Sequence, residues 1–157
     1  MTTHAIETRE KWLEARLDLL AAEKDLLRRS DQVAELRRKL PWVRVDKAYV
    51  FDGPNGKVTL ADLFGSRRQL LVQHFMLAPG WEQGCKSCSY MADHTDGMTV
   101  HLAQRGVSFV AISRAPLTEI ERFRRRMSWR FTWVSSNSNS FNSVSYTHLT
   151  LPTILLV

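Results

Sequence analysis

The chain's two cysteines, Cys85 and Cys88, stand two residues apart in the run Gly80-Trp81-Glu82-Gln83-Gly84-Cys85-Lys86-Ser87-Cys88-Ser89. No other feature limits the possible folds as tightly. Before it, Gln69 to Leu77 is an apolar segment that reads as a buried strand. After it, Tyr90 to Gln104 carries a helix pattern in which Gly97 is a point of weakness. Strand, short turn, Cys-x-x-Cys and helix form a context in which the pair signals redox chemistry more often than metal binding. The first sulfur of such a loop faces unpaired backbone N–H groups and the positive end of the helix, which favours the thiolate. Cys85 is therefore the expected nucleophile toward a disulfide, and Cys88, one turn on, the expected resolving thiol. Lys86 adds positive charge beside the nucleophile, and Trp81 is placed to shape an apolar rim. His74 and His94 read as structural histidines with satisfied rings.

Other chemistries are less well served. Two cysteines do not make a disulfide-stapled scaffold. Zinc wants three or four ligands, but there is no second cysteine pair, and His94 and His101 are awkwardly placed to close a site with both sulfurs. Asp93, Asp96 and Glu82 form no clear acid–base pair, and no Gly-rich phosphate loop is present, so no metal and no cofactor is expected. The net charge is +6, partly from Arg122, Arg124, Arg125, Arg126 and Arg130. That cluster reads as a solvated helix face, because no aromatic platform accompanies it, and no nucleic-acid partner is expected. No stretch is long and apolar enough to span a bilayer, and the first residues lack the apolar core of a signal peptide. A soluble, cytoplasmic protein without a membrane partner is the expectation.

In chain order, residues 8–40 read as one long helix, with Thr8 as N-cap and Pro41 as stop. Trp12, Leu19, Leu26, Val33 and Leu40 recur every seven residues, with Ala15, Ala22 and Leu36 in the second position of the repeat. This stripe suits a coiled-coil seam and a homodimer through the helical arm, and Leu13, Leu17, Leu20 and Leu27 widen it enough to dock on a globular surface. Trp42 to Phe51 reads as a strand. Asp52-Gly-Pro-Asn-Gly56 is a turn, and Lys57 to Leu60 pairs back as a hairpin. A small helix capped by Thr59 follows. Val107 to Ser113 is a buried-strand signature, Pro116 to Met127 a helix and Trp129 to Val134 a further strand. The order β-α-β-α-β predicts parallel strands with the active groups at their carboxyl ends.

No Asp, Glu, Lys or Arg follows Arg130, and Ser135 to Ser145 is nearly all Ser and Asn. The expected division is a helical arm over 1–40, a partial domain over 41–136, and a low-complexity tail over 137–157. Val144-Ser-Tyr-Thr-His-Leu-Thr150 looks like the translation of a sequencing-library adaptor joined to a gene fragment, which makes the tail artefactual and the domain truncated near Phe141.

Five segments together carry a resemblance: Leu40-Pro-Trp-Val-Arg-Val-Asp-Lys47; Leu71-Val-Gln-His-Phe-Met76; Trp81 with Gly84-Cys85 and Ser87-Cys88-Ser89; Val110 to Ser113-Arg114-Ala115-Pro116; and Phe131 with Trp133-Val-Ser-Ser136. Over residues 7–136 the chain resembles the bacterial domain-of-unknown-function 899 family, which is thioredoxin-like and related to the peroxiredoxin branch. The resemblance implies an α/β class fold, a thioredoxin-like three-layer α/β/α sandwich, here incomplete, preceded by a long helix. It implies a dithiol oxidoreductase acting on a protein or small-molecule thiol or disulfide. Its cysteine motif maps onto Cys85 and Cys88. Asp93, His94 and Arg114 match family positions, and Arg114 is the residue placed to polarise a peroxide in a peroxidase reading. A non-catalytic binding or dimerisation module is the other alternative. The Pro and Thr that lead into a peroxiredoxin's reactive cysteine are absent, and neither Pro116 nor Pro152 stands where thioredoxins carry a cis-proline.

Overall fold

The computed structural model describes residues 4–41, 43–144 and 154–156. Helix α1 spans Arg9–Arg38, and Thr8 caps it by accepting the N–H of Lys11 at 3.4 Å. Glu10 in its first turn and Arg37 and Arg38 in its last complement the helix dipole. None of its residues is buried, and Trp12, Leu19, Leu26 and Leu36 are all more than half exposed. This helix belongs to one compact unit, Met1–Asp46; the other is Lys47–Val157.

The second unit is built on a sheet of order β2-β1-β5-β4-β3-β6. Strand β1 (Val50–Gly53) and β2 (Gly56–Thr59) form a hairpin closed by Pro54 and Asn55, with Gly53 opposite Gly56. Gly56 takes φ 114°, a conformation that favours glycine. The strand expected from Trp42 starts only at Val50, and Trp42 itself lies outside the described residues. The reason is a lack of partners: beyond Thr59 the returning chain turns away. Leu60 N–H donates to Tyr49 O at 3.0 Å and Thr59 N–H to the Asp62 carboxylate at 2.8 Å. Residues 43–48 therefore have no edge to join. The expected small helix is a single 3-10 turn over Asp62–Phe64, closed by Gly65 at φ 58°.

Strand β3 (Gln69–His74) pairs in parallel with β4 (Val107–Ser113), and β4 in parallel with β5 (Thr132–Ser135). The stretch between β3 and β4 holds two helices, α2 (Lys86–Asp96) and α3 (Thr99–Gln104), interrupted at the glycine flagged by the sequence. Pro116 opens α4 (Leu117–Met127), which ends on left-handed Ser128. Strand β5 is shorter at its start than expected. Asp96 takes the backbone N–H groups of Arg130 and Phe131 at 2.7 and 3.1 Å, so those amides are engaged before they reach the sheet.

Alternation along the strands splits the core in two. On one face Phe75, Ala111 and Trp133 pack with Cys88 and Ala92 of α2 and Ile120 and Phe123 of α4. Phe75, Phe123, Trp129, Phe131 and Trp133 form a continuous aromatic cluster, Phe75 and Trp133 with ring centroids 4.5 Å apart. Such pairs each add about 0.5–1.5 kcal/mol beyond burial. On the other face Phe51, Leu70, Val72, Val110, Ile112 and Val134 pack beneath Tyr49 and Phe141.

Phe141 opens the short helix α5 (Phe141–Val144) and meets Tyr49 and Phe51 edge-on, each at 5.1 Å. The packed unit thus extends past the boundary that composition placed at residue 136. Strand β6 (Ile154–Leu156) pairs antiparallel with β3 at the sheet edge. Residues 145–153, and with them most of the adaptor-like run, lie outside the described residues. Among the described residues no helix is long and apolar enough to cross a membrane.

Candidate functional site

The carboxyl end of β3 organises the site. Past His74 the chain keeps its backbone groups engaged: Met76 O accepts the N–H of Cys85 at 3.1 Å, and Leu77 O accepts the N–H of Ala115 at 2.9 Å. One short segment therefore holds both the cysteine loop and the end of β4. Serines reinforce this end of the sheet. Ser113 Oγ donates to Phe75 O at 2.7 Å and accepts the Trp133 indole N–H at 2.9 Å; Ser135 Oγ donates to Ala115 O at 2.6 Å.

Gly84 brings the loop down onto this frame. A Cβ there would lie 2.6 Å from Phe75 Cε1 and 3.1 Å from Phe123 Cζ. The backbone rests directly on two rings that the aromatic cluster holds in place. The next residue, Cys85, is the N-cap of α2, and its carbonyl accepts both the N–H and the hydroxyl of Ser89 at 2.9 Å. It is half-buried, at the helix end whose amides have no intrahelical acceptor. Its sulfur accepts no capping hydrogen bond from that first turn.

Cys88 is fully buried. Burial pushes its thiol up to about 11; the N–H of Met76 pulls the other way, while the hydrogen bond to Cys85 and that sulfur's charge raise it further. The two cysteines are free thiols one helical turn apart. One is open to solvent and one is sealed with its proton. Gln73 sits beneath them: its Nε2 donates to Cys88 O at 3.0 Å, while its buried Oε1 has no partner among the described residues. The sequence reading passed over Gln73. The available signal was a polar residue on the cysteine-facing side of an otherwise apolar strand.

Arg114 is not gathered into this cluster. Its backbone is at the same end of the sheet, one residue before Ala115, but its side chain is exposed and forms no hydrogen bond or ion pair with any described residue. His94 behaves as a structural histidine, its Nδ1 2.7 Å from Tyr90 O. His74 does not. It points to the opposite face of the sheet from the cysteines, stacked on Phe141 at 5.4 Å, with neither ring nitrogen partnered among the described residues. Strand alternation decides this, since Gln73 already occupies the cysteine side. Asp93 is engaged by the Trp129 indole N–H at 2.7 Å. Among the described residues no three His, Cys, Asp or Glu side chains gather as metal ligands. There is also no cis peptide bond among them, and Pro152 lies outside them.

Comparison with known proteins agrees with this architecture. A family model described as "Bacterial protein of unknown function (DUF899)" matches residues 1–150. The sequence matches no curated protein. Among solved structures, the chain is similar to a candidate thiol:disulfide interchange protein DsbE of Chlorobium tepidum, at 17% identity and TM-score 0.57, covering 76% of this chain and 79% of that one. It is similar to the thioredoxin domain of thiol-disulfide oxidoreductase BVU-2223 of Bacteroides vulgatus, at 19% identity and TM-score 0.55, over 76% and 82% of the two chains. It is also similar to peroxidoxin BcpB of Mycobacterium tuberculosis, at 14% identity and TM-score 0.56, over 71% and 74%. At these identities the likeness is one of fold, and the fold is thioredoxin-like.

Proposed function

Since this chain belongs to the DUF899 family, whose function is unknown, we propose a function from its own geometry: a thiol–disulfide oxidoreductase that works through Cys85 and Cys88. One observation carries the reading. A part-exposed free cysteine at a helix N-terminus is followed, one turn on, by a buried free cysteine whose burial favours the protonated thiol. A helix N-terminus presents unpaired N–H groups to whatever stands before it, here the Cys85 position. Cys85 attacks a substrate disulfide and forms a mixed disulfide, releasing one thiol. Cys88 then gives up its proton, attacks the Cys85 sulfur and releases the second thiol. Two electrons pass from the protein dithiol to the substrate. Lys86 and Arg114 leave exposed positive charge at this end of the sheet. Two of the structural neighbours are named for thiol–disulfide chemistry, which supports the same reading.

Trapping tests it. Reduced wild-type protein treated with a disulfide is expected to end as an internal Cys85–Cys88 disulfide by mass spectrometry. Cys88→Ser is expected to stop at a mixed disulfide on Cys85, and Cys85→Ser to form none. First attachment at Cys88, or no exchange by the wild type, would overturn the assignment.

A further inference from the structure

The dithiol reading leaves the substrate's chemistry open, and a cleft beside the cysteine loop narrows it. This cleft of about 130 Å³ is lined by Trp81 and Glu82 from the loop and by Glu119, Arg122, Phe123 and Arg126 from α4. It adjoins the cysteine loop: Phe123, part of its lining, lies against Gly84, the residue before Cys85. Two hydrogen bonds fix its walls. Gly80 N–H donates to Glu119 Oε2 at 3.0 Å, and Arg126 Nη2 donates to Gln83 Oε1 at 2.8 Å. Arg126 also lies over the Phe123 ring, 4.6 Å from its centroid.

With Glu119 and Arg126 engaged, two opposite charges remain. Glu82 and Arg122 line the same cleft, are exposed, and make no hydrogen bond or ion pair with any described residue. Phe123 and Trp81, the latter 47% exposed, line the same cleft. Glu82 and Glu119 balance Arg122 and Arg126, so the lining attracts neither a dianion nor a dication as such. It suits a molecule that carries one charge of each sign. A cleft of this size has room for part of a small molecule.

We propose that this cleft holds one half of a small zwitterionic disulfide of amino-acid type, its carboxylate toward Arg122 and its ammonium toward Glu82, with the sulfur presented to Cys85. The Cys85 thiolate attacks the sulfur of the held half, and that half becomes bonded to Cys85. The other half leaves as a thiolate and takes a proton from water. Cys88 loses its proton and attacks the Cys85 sulfur, so the held half leaves as the second thiol. The substrate disulfide gains the two electrons that the protein dithiol loses.

The test uses the reduced full chain and three symmetrical probes: cystine, with both charges; cystamine, with ammonium only; and 3,3′-dithiodipropionate, with carboxylate only. Second-order rate constants are read from the appearance of oxidised protein. Cystine is expected to react about tenfold faster than either single-charge probe, the equivalent of about 1.4 kcal/mol. Arg122→Ala is expected to lower the cystine-to-cystamine ratio about tenfold, and Glu82→Gln the cystine-to-dithiodipropionate ratio. Arg125→Ala removes the same charge from α4 outside the cleft and is expected to keep both ratios. Rates within twofold for all three probes on the wild type, or the same ratio change in Arg125→Ala as in Arg122→Ala, would overturn this inference. Failure of every probe to oxidise the wild type would instead overturn the dithiol reading, and this proposal with it.

Discussion

His74 gives the protein a dependence on pH that can be worked out from its surroundings. It is 4% exposed, stacked on Phe141, and neither ring nitrogen has a partner among the described residues. Burial alone pulls its pKa from 6.5 down to about 4. The folded state therefore keeps the ring neutral, while the unfolded chain takes up a proton below pH 6.5. Stability is unaffected by this group above pH 6.5, falls as pH drops through the interval, and levels off below pH 4. The shift is worth about 3 kcal/mol in full, at about 1.4 kcal/mol per pH unit, and about 2 kcal/mol by pH 5. Urea unfolding of the wild type and of His74→Phe at pH 7.5, 6.5, 5.5 and 5.0 measures it. The variant keeps an aromatic ring against Phe141 and has no nitrogen to leave unpaired, so it is expected to match or exceed the wild type at pH 7.5. Its advantage is expected to grow by about 2 kcal/mol by pH 5. Asp96, whose carboxyl is held low, loses its charge only at more acid pH and is common to both proteins. Parallel stability curves between pH 7.5 and 5.0 would refute the reasoning, because they would mean that His74 titrates alike in both states.

Other perturbations probe the frame of the site. Gly84→Ala drives a methyl group into Phe75 and Phe123, which Trp129 and Trp133 prevent from yielding, and is expected to cost about 1–3 kcal/mol in denaturant unfolding. Asp96→Ala leaves the N–H groups of Arg130 and Phe131 and the Arg130 guanidinium without their acceptor, and a loss of about 1.5–3 kcal/mol is expected in the same assay. Gln73→Leu removes the donor to Cys88 O. It is expected to slow closure of the internal disulfide several-fold while leaving the first attack by Cys85 near wild type, measured by quenched-flow trapping of the mixed disulfide. For the exposed stripe of α1 we propose a second copy of this chain as the partner. Sedimentation is expected to show a concentration-dependent dimer that Leu19→Gln with Leu26→Gln dissociates.

The order of elements was legible because it rests on local signals. The apolar run of β3, the turn at Pro54 and Asn55, the cap at Thr8, Pro116 before α4 and the break at Gly97 each act within a few residues. So does the seat of Cys85, since a cysteine placed between a loop and a helical run becomes an N-cap whatever surrounds it. Strand lengths were not legible. A strand ends where its partner ends: at β2 the Asp62 carboxylate takes the Thr59 N–H, and before β5 Asp96, more than thirty residues earlier in the chain, takes those of Arg130 and Phe131. The Ser- and Asn-rich stretch misled for a related reason: its polarity hides a single ring, Phe141, that the core takes up.

By itself, then, the sequence determined which sulfur stands at the head of a helix and which follows one turn later. Only the tertiary structure decided that the second is buried, which raises its thiol pKa, that His74 faces away from both, and that Glu82 and Arg122 line one cleft with Phe123. Helix starts and turns follow from interactions among neighbours in the chain. Burial, orphaned polar atoms and paired charges depend on what folding brings in from forty residues away, as α4 is brought to the cysteine loop by the contact between Gly80 and Glu119, with |i−j| of 39.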